Sequence, residues 1–452
     1  MSSDLIINQD LSVKRKIRVI LTLAIPAMIE NILQAIVGFV DILFVSKLGL
    51  IEVTAVGVAN AILAVYIAIF MALGIGTSAL IARAVGAGEF DKARDVARQS
   101  TMFSVYIGLI FGMVALIFAE PLLRLMGAEP RVLVDGVKYF RIVAIPSVFI
   151  SLMLMFGNIL RAYGDTKTPM KVSLWINILH VGLVYILIFG LWKFDGFGIE
   201  GAALATVIAR ITGTLALYYF IAQSRIAFSF LRSLRLERNS YTLPILKLSA
   251  PAAAERLIMR LGQVLYFGLI IRIGTETYAA HIIAGNIEVF SFMPGYGLAI
   301  AATILVGQNL GANRVKEARS YGLWTSAIAV IVMSFFGVIL FFFSPWFATW
   351  FTQEENVIDM VATALRIDAF AQPALALSLV LAGALQGAGD TKSPMYSTAI
   401  GMFFIRVLGV YIFGLRLGMG IAGVWISIAI DLFIRAVYLL FRFINRSGSL
   451  LD

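Results

Sequence analysis

Long apolar segments recur along the whole chain, and they constrain its fold more than any other feature. Segments of roughly 20 apolar residues or more are long enough to cross the hydrocarbon core of a bilayer. Twelve such segments lie near residues 18–46, 53–81, 97–118, 136–160, 171–191, 199–222, 244–271, 279–306, 321–344, 358–385, 396–415 and 420–441. Backbone hydrogen bonds in lipid must be satisfied internally, so each segment is a helix or a barrel strand. These segments are too long and too evenly apolar for barrel strands. We therefore predict an all-α membrane protein with twelve transmembrane helices.

The composition agrees with a lipid environment. Of the 452 residues, 60% are hydrophobic and 14% are charged, whereas soluble domains carry about 25% charged residues. The net charge of +10 does not indicate a nucleic-acid partner, because the basic residues lie in short gaps between the apolar segments. The chain has no Cys, which excludes disulfides and thiolate metal sites.

The distribution of Lys and Arg predicts the orientation. The loops on one side of the predicted helices carry 21 Lys and Arg, and those on the other side carry six. The basic side of a membrane protein faces the cytoplasm, and an even number of spans places both termini there. We expect a monomeric, multi-pass protein of the cytoplasmic (inner) membrane.

A sequence repeat predicts the domain organisation. RAYGDTKTPM, residues 161–170, returns as QGAGDTKSPM, residues 386–395, with six of ten positions identical. Pro26 and Pro251 are the same number of residues apart as the two phrases. Both copies of the unit begin on the basic side, as in parallel repeats related by an axis along the membrane normal. We predict two six-helix bundles related by a pseudo-two-fold axis normal to the membrane.

The predicted bundles comprise residues 1–222 and 244–452, joined by a cytoplasmic linker at 223–243. A cavity between two such bundles would open to alternate sides as they rock. The repeated phrase itself is predicted to be the turn between the fourth and fifth helix of each bundle. Gly and Asp are typical of the turn, and Pro is typical of the start of a helix.

Polar residues on the first predicted helix form a candidate coupling site. A charged side chain at the centre of a span costs about 2.5–3.5 kcal/mol on insertion scales. Glu30 and Asp41 are eleven residues, about three turns, apart and therefore share one face, with Gln34 between them. Pro26 lies one turn earlier and is a candidate hinge, because it removes a backbone hydrogen bond. The stripe either faces a cavity and binds a proton or an ion, or its two acids are neutralised for packing.

Three acids in predicted spans of the second bundle form a candidate cation-binding site. They are Glu255, at the repeat position of Glu30, together with Glu288 and Asp368. Converging carboxylates in a dry cavity hold a metal cation such as sodium or take up a proton. The alternative is structural ion pairing, in which Arg406 or Arg260 neutralises an acid.

Several stretches together resemble the MATE family of multidrug and toxic compound extrusion transporters. They are AIPAMIENILQAIVGFVDILFVSKLG in the first helix, AAHIIAGNIEVFSFMPGYGLAIAATILVGQNLGA around the eighth, and the paired GDTKTPM and GDTKSPM turns. The resemblance implies two lobes of six helices and export of amphipathic, often cationic organic compounds against an inward sodium or proton gradient. It implies no cofactor other than the coupling ion. It places the coupling aspartate at Asp41 and the cation-binding acids at Glu255 and Asp368.

The fifth predicted helix departs from the family pattern. Members often carry Asn-x-x-Asn-x-x-x-Asp, whereas this chain has Asn177, His180 and Val184 at those positions. A first-bundle site made of two aspartates is therefore incomplete, and we expect coupling to depend more on the second bundle. His180 either titrates near neutral pH or packs as a neutral residue, and His281 is expected at a helix interface.

Two other functions are considered from the sequence. A flippase for lipid-linked precursors, known in the wider superfamily, would line its cavity with several basic residues, whereas the in-span charges here are mixed. An enzyme is not expected, because the chain contains no HExxH, GxSxG or Walker motif and no Cys nucleophile.

Overall fold

The computed structural model describes residues 12–191, 195–230 and 241–449, and this part of the chain is almost entirely helical. Residues 231–240 of the predicted linker, and the two terminal stretches 1–11 and 450–452, lie outside the described residues. The prediction of an all-α fold is confirmed. The helices are α1 (Val13–Ser46), α2 (Leu50–Gly86), α3 (Phe90–Leu125), α4 (Pro130–Ala144), α5 (Ser147–Tyr163), α6 (Lys167–Phe189), α7 (Ile199–Ala222), α8 (Thr242–Ile273), α9 (Thr275–Gly311), α10 (Val315–Thr349), α11 (Glu355–Gly387), α12 (Lys392–Ile400) and α13 (Gly420–Ser449).

Most of these helices are long and apolar enough to cross a membrane. Ten spans meet this description among the described residues, and the bent pair α4–α5 raises the number to eleven. One of the ten, Lys392–Arg416, joins α12 to two π-helical segments, Gly401–Val407 and Val410–Arg416. The 32-residue α8 is not among them, because Glu255, Arg256 and Arg260 fall within its apolar stretch. Membrane insertion of α8 as the twelfth span stays a prediction.

The fourth predicted span is not one straight helix. The sequence predicts a continuous helix at 136–160, but α4 and α5 meet at an angle of 48°. The break lies at Ile145 and Pro146, between the two helices. Proline has no amide hydrogen and its ring clashes with the preceding turn, which explains the kink.

The two copies of the repeated phrase adopt the same turn. Asp165 accepts hydrogen bonds from the backbone amide of Thr168 at 3.0 Å and from its hydroxyl at 2.6 Å. In the second copy Asp390 accepts the equivalent bonds from Ser393 at 3.0 and 2.8 Å. The change from Thr to Ser keeps the hydroxyl that the turn needs. The prediction of a turn is therefore confirmed at both sites. A left-handed glycine precedes the aspartate of each turn, Gly164 (φ 104°) and Gly389 (φ 73°).

The ends of α2 and α9 cross at two glycines that are equivalent in the repeat. A Cβ atom on Gly86 would overlap the backbone of Gln308, and one on Gly311 would overlap the backbone of Arg83. The repeat offset relates Gly86 to Gly311, and it also relates Arg83 to Gln308. The contact is reciprocal, and the absence of side chains at the two glycines lets the two helix ends approach closely.

The chain forms two compact units. One comprises the described part of Met1–Met28, Ala82–Gly88 and Ala250–Asp452, and the other comprises Ile29–Ile81 and Glu89–Ser249. We call them the α11 unit and the α6 unit, after a helix in each. The changeover within α1 falls just after Pro26.

Each unit has an apolar core of its own. In the α11 unit, helix α11 packs against α9, α10 and α13, so residues on all its faces are buried. In the α6 unit, Tyr66, Phe70 and Phe140 are buried in a core that extends to α3, α6 and α7. Polar side chains in either core therefore need partners within the protein.

Candidate functional site

A buried ion network lies at the centre of the α11 unit. Asp431 on α13 is 0% exposed. Its Oδ2 accepts a hydrogen bond from Arg406 Nε at 2.9 Å, and its Oδ1 accepts one from Arg435 Nε at 2.6 Å. Hydrogen bonds between guanidinium and carboxylate groups are among the stronger ones in proteins. The two arginines therefore place two guanidinium groups against the Asp431 carboxylate.

Local backbone geometry brings these groups together. Arg406 lies in the π-helical segment Gly401–Val407 that continues α12, and such segments are frequent at functional sites. A Cβ atom on Gly401 would overlap Oδ1 of Asp431 and contact Arg435. Glycine at this position thus makes room for the ion pair where the two helices meet.

The network extends to Glu255 on α8. Arg435 Nη1 donates to the Thr398 hydroxyl at 3.4 Å, and that hydroxyl donates to Glu255 Oε1 at 3.1 Å. Arg256 and Arg435 both attract the Glu255 carboxylate. Glu255 thus lies near two guanidinium groups, whereas its hydrogen bonds come from the neutral side chains of Thr398 and Gln386.

Asp368 on α11 lies at the other end of the network. It is 1% exposed, and its Oδ2 accepts a hydrogen bond from Gln372 Nε2 at 2.6 Å. Its Oδ1 is buried and has no hydrogen-bond partner among the described residues. The carboxylate of Glu288 repels that of Asp368, and the guanidinium of Arg406 attracts Glu288. The structure therefore brings Asp368 and Glu288 together, and it connects them to Glu255 through Arg406, Asp431 and Arg435.

The charges of this network do not balance. Among the described residues it contains four carboxyl groups and three guanidinium groups, so one carboxyl group has no countercharge there. The acids are Glu255, Glu288, Asp368 and Asp431, and the bases are Arg256, Arg406 and Arg435. Among the described residues, no three His, Asp or Glu side chains are grouped as a metal site would require. Sodium binding by Glu255 and Asp368 stays a prediction.

The equivalent acid of the first repeat has a countercharge of its own. Glu30 on α1 accepts hydrogen bonds from Arg161 Nη1 at 2.9 and 3.0 Å, and Arg161 Nη2 donates to Asn158 at 3.1 Å. The repeat position of Arg161 is Gln386, which hydrogen-bonds to Glu255. The contact is thus an ion pair in the first repeat, whereas in the second repeat a neutral amide side chain hydrogen-bonds to the acid.

Asp41 and His180 form a second polar centre, in the α6 unit. His180 Nε2 lies 3.0 Å from each carboxylate oxygen of Asp41. The side chain of His180 is 7% exposed and that of Asp41 is 34% exposed. Arg210 on α7 and Tyr139 on α4 lie within electrostatic range of Asp41. Both of these neighbours were missed from the sequence. The charge of Arg210 within the apolar segment 199–222 was the available signal.

The other predicted residues have different surroundings. Gln34 is exposed, and Asn177 Nδ2 is buried without a hydrogen-bond partner among the described residues. Pro26 lies inside the continuous helix α1. His281 packs against Tyr266, Phe267 and Trp425, an aromatic contact between helices. No contact among the described residues tests the predicted roles of Gln34 and Pro26.

The sequence profile of the MatE family matches residues 26–186 and again 251–412, so the two matches begin at the equivalent prolines of the repeat. The chain is 29% identical over 427 residues to "Probable multidrug resistance protein NorM" of Thermotoga maritima, covering 94% of this chain and 92% of that protein. It is 29% identical over 422 residues to "Uncharacterized transporter YisQ" of Bacillus subtilis, covering 93% and 92%.

Solved structures of transporters share the fold. A crystal structure of MATE in the straight conformation has a TM-score of 0.91 and 26% identity, covering 99% of this chain and 98% of that one. An outward-facing multidrug resistance MATE family transporter of the MOP superfamily also has a TM-score of 0.91, with 25% identity and coverage of 100% and 99%. The repeated profile match, the full-length similarity and the shared fold together show that this chain belongs to the MatE family of membrane transporters.

Proposed function

We propose that the protein exports amphipathic, often positively charged organic compounds in exchange for an inward-moving sodium ion or proton. Family membership and the similarity to a protein named for multidrug resistance support the transport class. The distribution of Lys and Arg supports a place in the cytoplasmic membrane with both termini inside. We keep the division into bundles at 1–222 and 244–452, and a monomer, as parts of this proposal.

The uncompensated carboxyl group in the α11 unit carries the proposal. A charge buried at membrane depth is costly unless it is paired or neutralised. Three of the four acids have guanidinium partners or neighbours, whereas Asp368 has a glutamine and another acid. A sodium ion or a proton at Asp368 would supply the missing positive charge. Its buried Oδ1 is the atom available to accept it.

Exchange of a cation for an organic compound requires that each ligand binds one conformation of the protein more tightly than the other. A cation that binds one conformation of the protein more tightly than another shifts the population toward the first. The linkage is reciprocal, so an organic compound that favours the other conformation promotes release of the cation. Arg406 would transmit a change at Glu288 to Asp431, because it interacts with both acids. Asp41, which contacts His180, is the second candidate coupling acid.

Transport in proteoliposomes tests this proposal. Purified protein would be reconstituted, and movement of a fluorescent organic cation would be followed with a sodium gradient or a pH gradient imposed separately. We expect wild-type transport to respond to one of the gradients and Asp368→Asn to lose that response. Asp359→Asn is the matched control, because Asp359 lies on the same helix but is exposed. A wild-type response to neither gradient, or a normal response in Asp368→Asn, would refute the assignment.

A further inference from the structure

His281 lies on α9 in a cage of aromatic rings. Its ring centroid is 5.8 Å from that of Tyr266, 5.3 Å from that of Phe267 and 5.5 Å from that of Trp425. His281 is 6% exposed, and its Nδ1 atom is buried with no hydrogen-bond partner among the described residues. The same holds for Nε1 of Trp425. Since buried polar groups need partners, the cage offers two hydrogen-bonding positions that aromatic packing does not use.

One water molecule can serve both nitrogens. Two hydrogen bonds of about 2.8 Å each span up to about 5.6 Å, and the ring centroids of His281 and Trp425 are 5.5 Å apart. The indole N–H can only donate, whereas a neutral imidazole donates from one ring nitrogen and accepts at the other. Buried water molecules typically bind to such otherwise unsatisfied groups. The cage thus suits an imidazole that exchanges a proton with water.

The face of α9 that carries His281 leads to Glu288. The seven residues between them make almost two full turns, so the two side chains are aligned and about 10 Å apart along the helix axis. Gly285 lies between them on this face, and a Cβ atom there would meet nothing within 4 Å. Glycine therefore leaves room beside the helix for water molecules between the two titratable groups.

The charged neighbours of this path belong to the buried ion network. Arg406 acts on His281 and attracts Glu288, and it also hydrogen-bonds to Tyr266. Asp431 of α13 is the ion-pair partner of Arg406. Tyr266 occupies a position at which the first repeat has an acid. Glu288 is therefore the acid to which a proton from His281 would pass.

The position of His281 along α9 fits an entry point. The helix begins at Thr275, six residues or about 9 Å before His281. The distribution of Lys and Arg places this end of α9 on the non-cytoplasmic side. A cation that moves inward along the helix therefore meets His281 before Glu288.

We propose that His281 is the entry relay for the coupling ion and that this ion is a proton. The imidazole accepts a proton at one ring nitrogen from the non-cytoplasmic side, and the other nitrogen releases a proton through water to the Glu288 carboxylate. One proton is taken up for each one released, and the ring ends neutral in its other tautomer. This inference rests on the proposed export function, and it selects the proton from the two coupling ions considered there.

Exchange across proteoliposomes tests the relay. Purified full-length protein would be reconstituted with ethidium and a pH-sensitive dye inside, and the outside would be acidified. Every exchanged proton crosses the whole protein, so the path through His281 is used in either orientation of the protein. We expect His281→Phe, which keeps the aromatic packing, to slow proton uptake about 100-fold, the lower end of what a positioned proton-transfer group contributes. The final internal pH and the affinity for ethidium in detergent should not change.

Three further variants keep the test decisive. Gly285→Val fills the open space on the path and should slow proton uptake, although it removes no titratable group. Gly268→Val is the matched control, because Gly268 also has open space around it but lies on α8, and it should transport at the wild-type rate. His281→Gln keeps a polar side chain without a second tautomer, and it decides if His281→Phe fails to fold.

The solvent isotope effect separates a relay from packing. When proton transfer limits the rate, D2O slows His281→Phe by a larger factor than it slows the wild type. Wild-type rates in the folded His281 variants or in Gly285→Val overturn the relay, and so does slow uptake without the larger effect of D2O.

The outcome is separate from that of the proposed function. If only a sodium gradient drives ethidium export by the wild type, the relay is wrong and export stands. If the wild type takes up protons through a path that His281→Phe slows but ethidium stays inside, export fails while the relay stands.

Discussion

The Glu30–Arg161 ion pair gives a sharp test of how the two repeats differ. The change is Arg161→Gln, which places in the first repeat the residue that the second repeat has at position 386. The two side chains are 13% and 12% exposed, so water screens them little. Removing one partner of a buried pair leaves an uncompensated charge and costs about 3–5 kcal/mol. We expect a loss of that order in the free energy of unfolding.

The double variant isolates the interaction. Glu30→Gln combined with Arg161→Gln removes both charges and lets two amides hydrogen-bond, and replacing a whole buried pair is often close to neutral. We therefore expect the double variant to regain most of the stability lost by Arg161→Gln. Arg124→Gln is the control, because its pair with Glu120 is more than half exposed on both sides and such pairs contribute little.

Thermal unfolding in detergent, followed by size-exclusion chromatography of the remaining monomer, measures these effects. A loss of 1 kcal/mol lowers Tm by about 2–4 °C for a unit of 150–250 residues, so Arg161→Gln should lower Tm by roughly 6–20 °C. The reasoning fails if Arg161→Gln melts with the wild type. It also fails if the double variant melts as early as the single.

Three other outcomes are expected. Asp41→Asn should reduce export, because it removes the acid that the coupling role requires. Abundance in the membrane should stay normal, because the amide keeps the shape of the side chain and removes a charge from the span. Wild-type transport under the same gradient would contradict a coupling role. Gly401→Ala should lower the free energy of unfolding by about 1–3 kcal/mol, because the added Cβ would overlap the ion network. The control Gly268→Ala has open space around it and should not lower Tm. Equal Tm values for the two variants would count against the network. Glu255→Gln and Asp368→Asn should each weaken the ion dependence of efflux. The double variant should show an ion dependence little weaker than that of either single variant, because one network connects both acids. Additive losses would argue for separate sites.

Much of the architecture was determined by the sequence alone. The lengths of the apolar segments require helices, because lipid offers the backbone no hydrogen-bond partners. The constant offset between the repeated phrases requires two copies of one unit, and Asp165 and Asp390 indeed form the same turn. These features depend on residues close together in the sequence and on the lipid surroundings, which the apolar composition indicates.

The partners of the buried charges were decided only by tertiary structure. The sequence predicts Glu30 and Asp41 on one face of α1, but Glu30 pairs with an arginine 131 residues away and Asp41 with a histidine 139 residues away. In the second half Glu255 and Asp368 bind different neighbours. Helical periodicity specifies which face a charge occupies, whereas its countercharge depends on which helices pack against that face. The two acids of α1 therefore look alike in sequence until the helices are assembled.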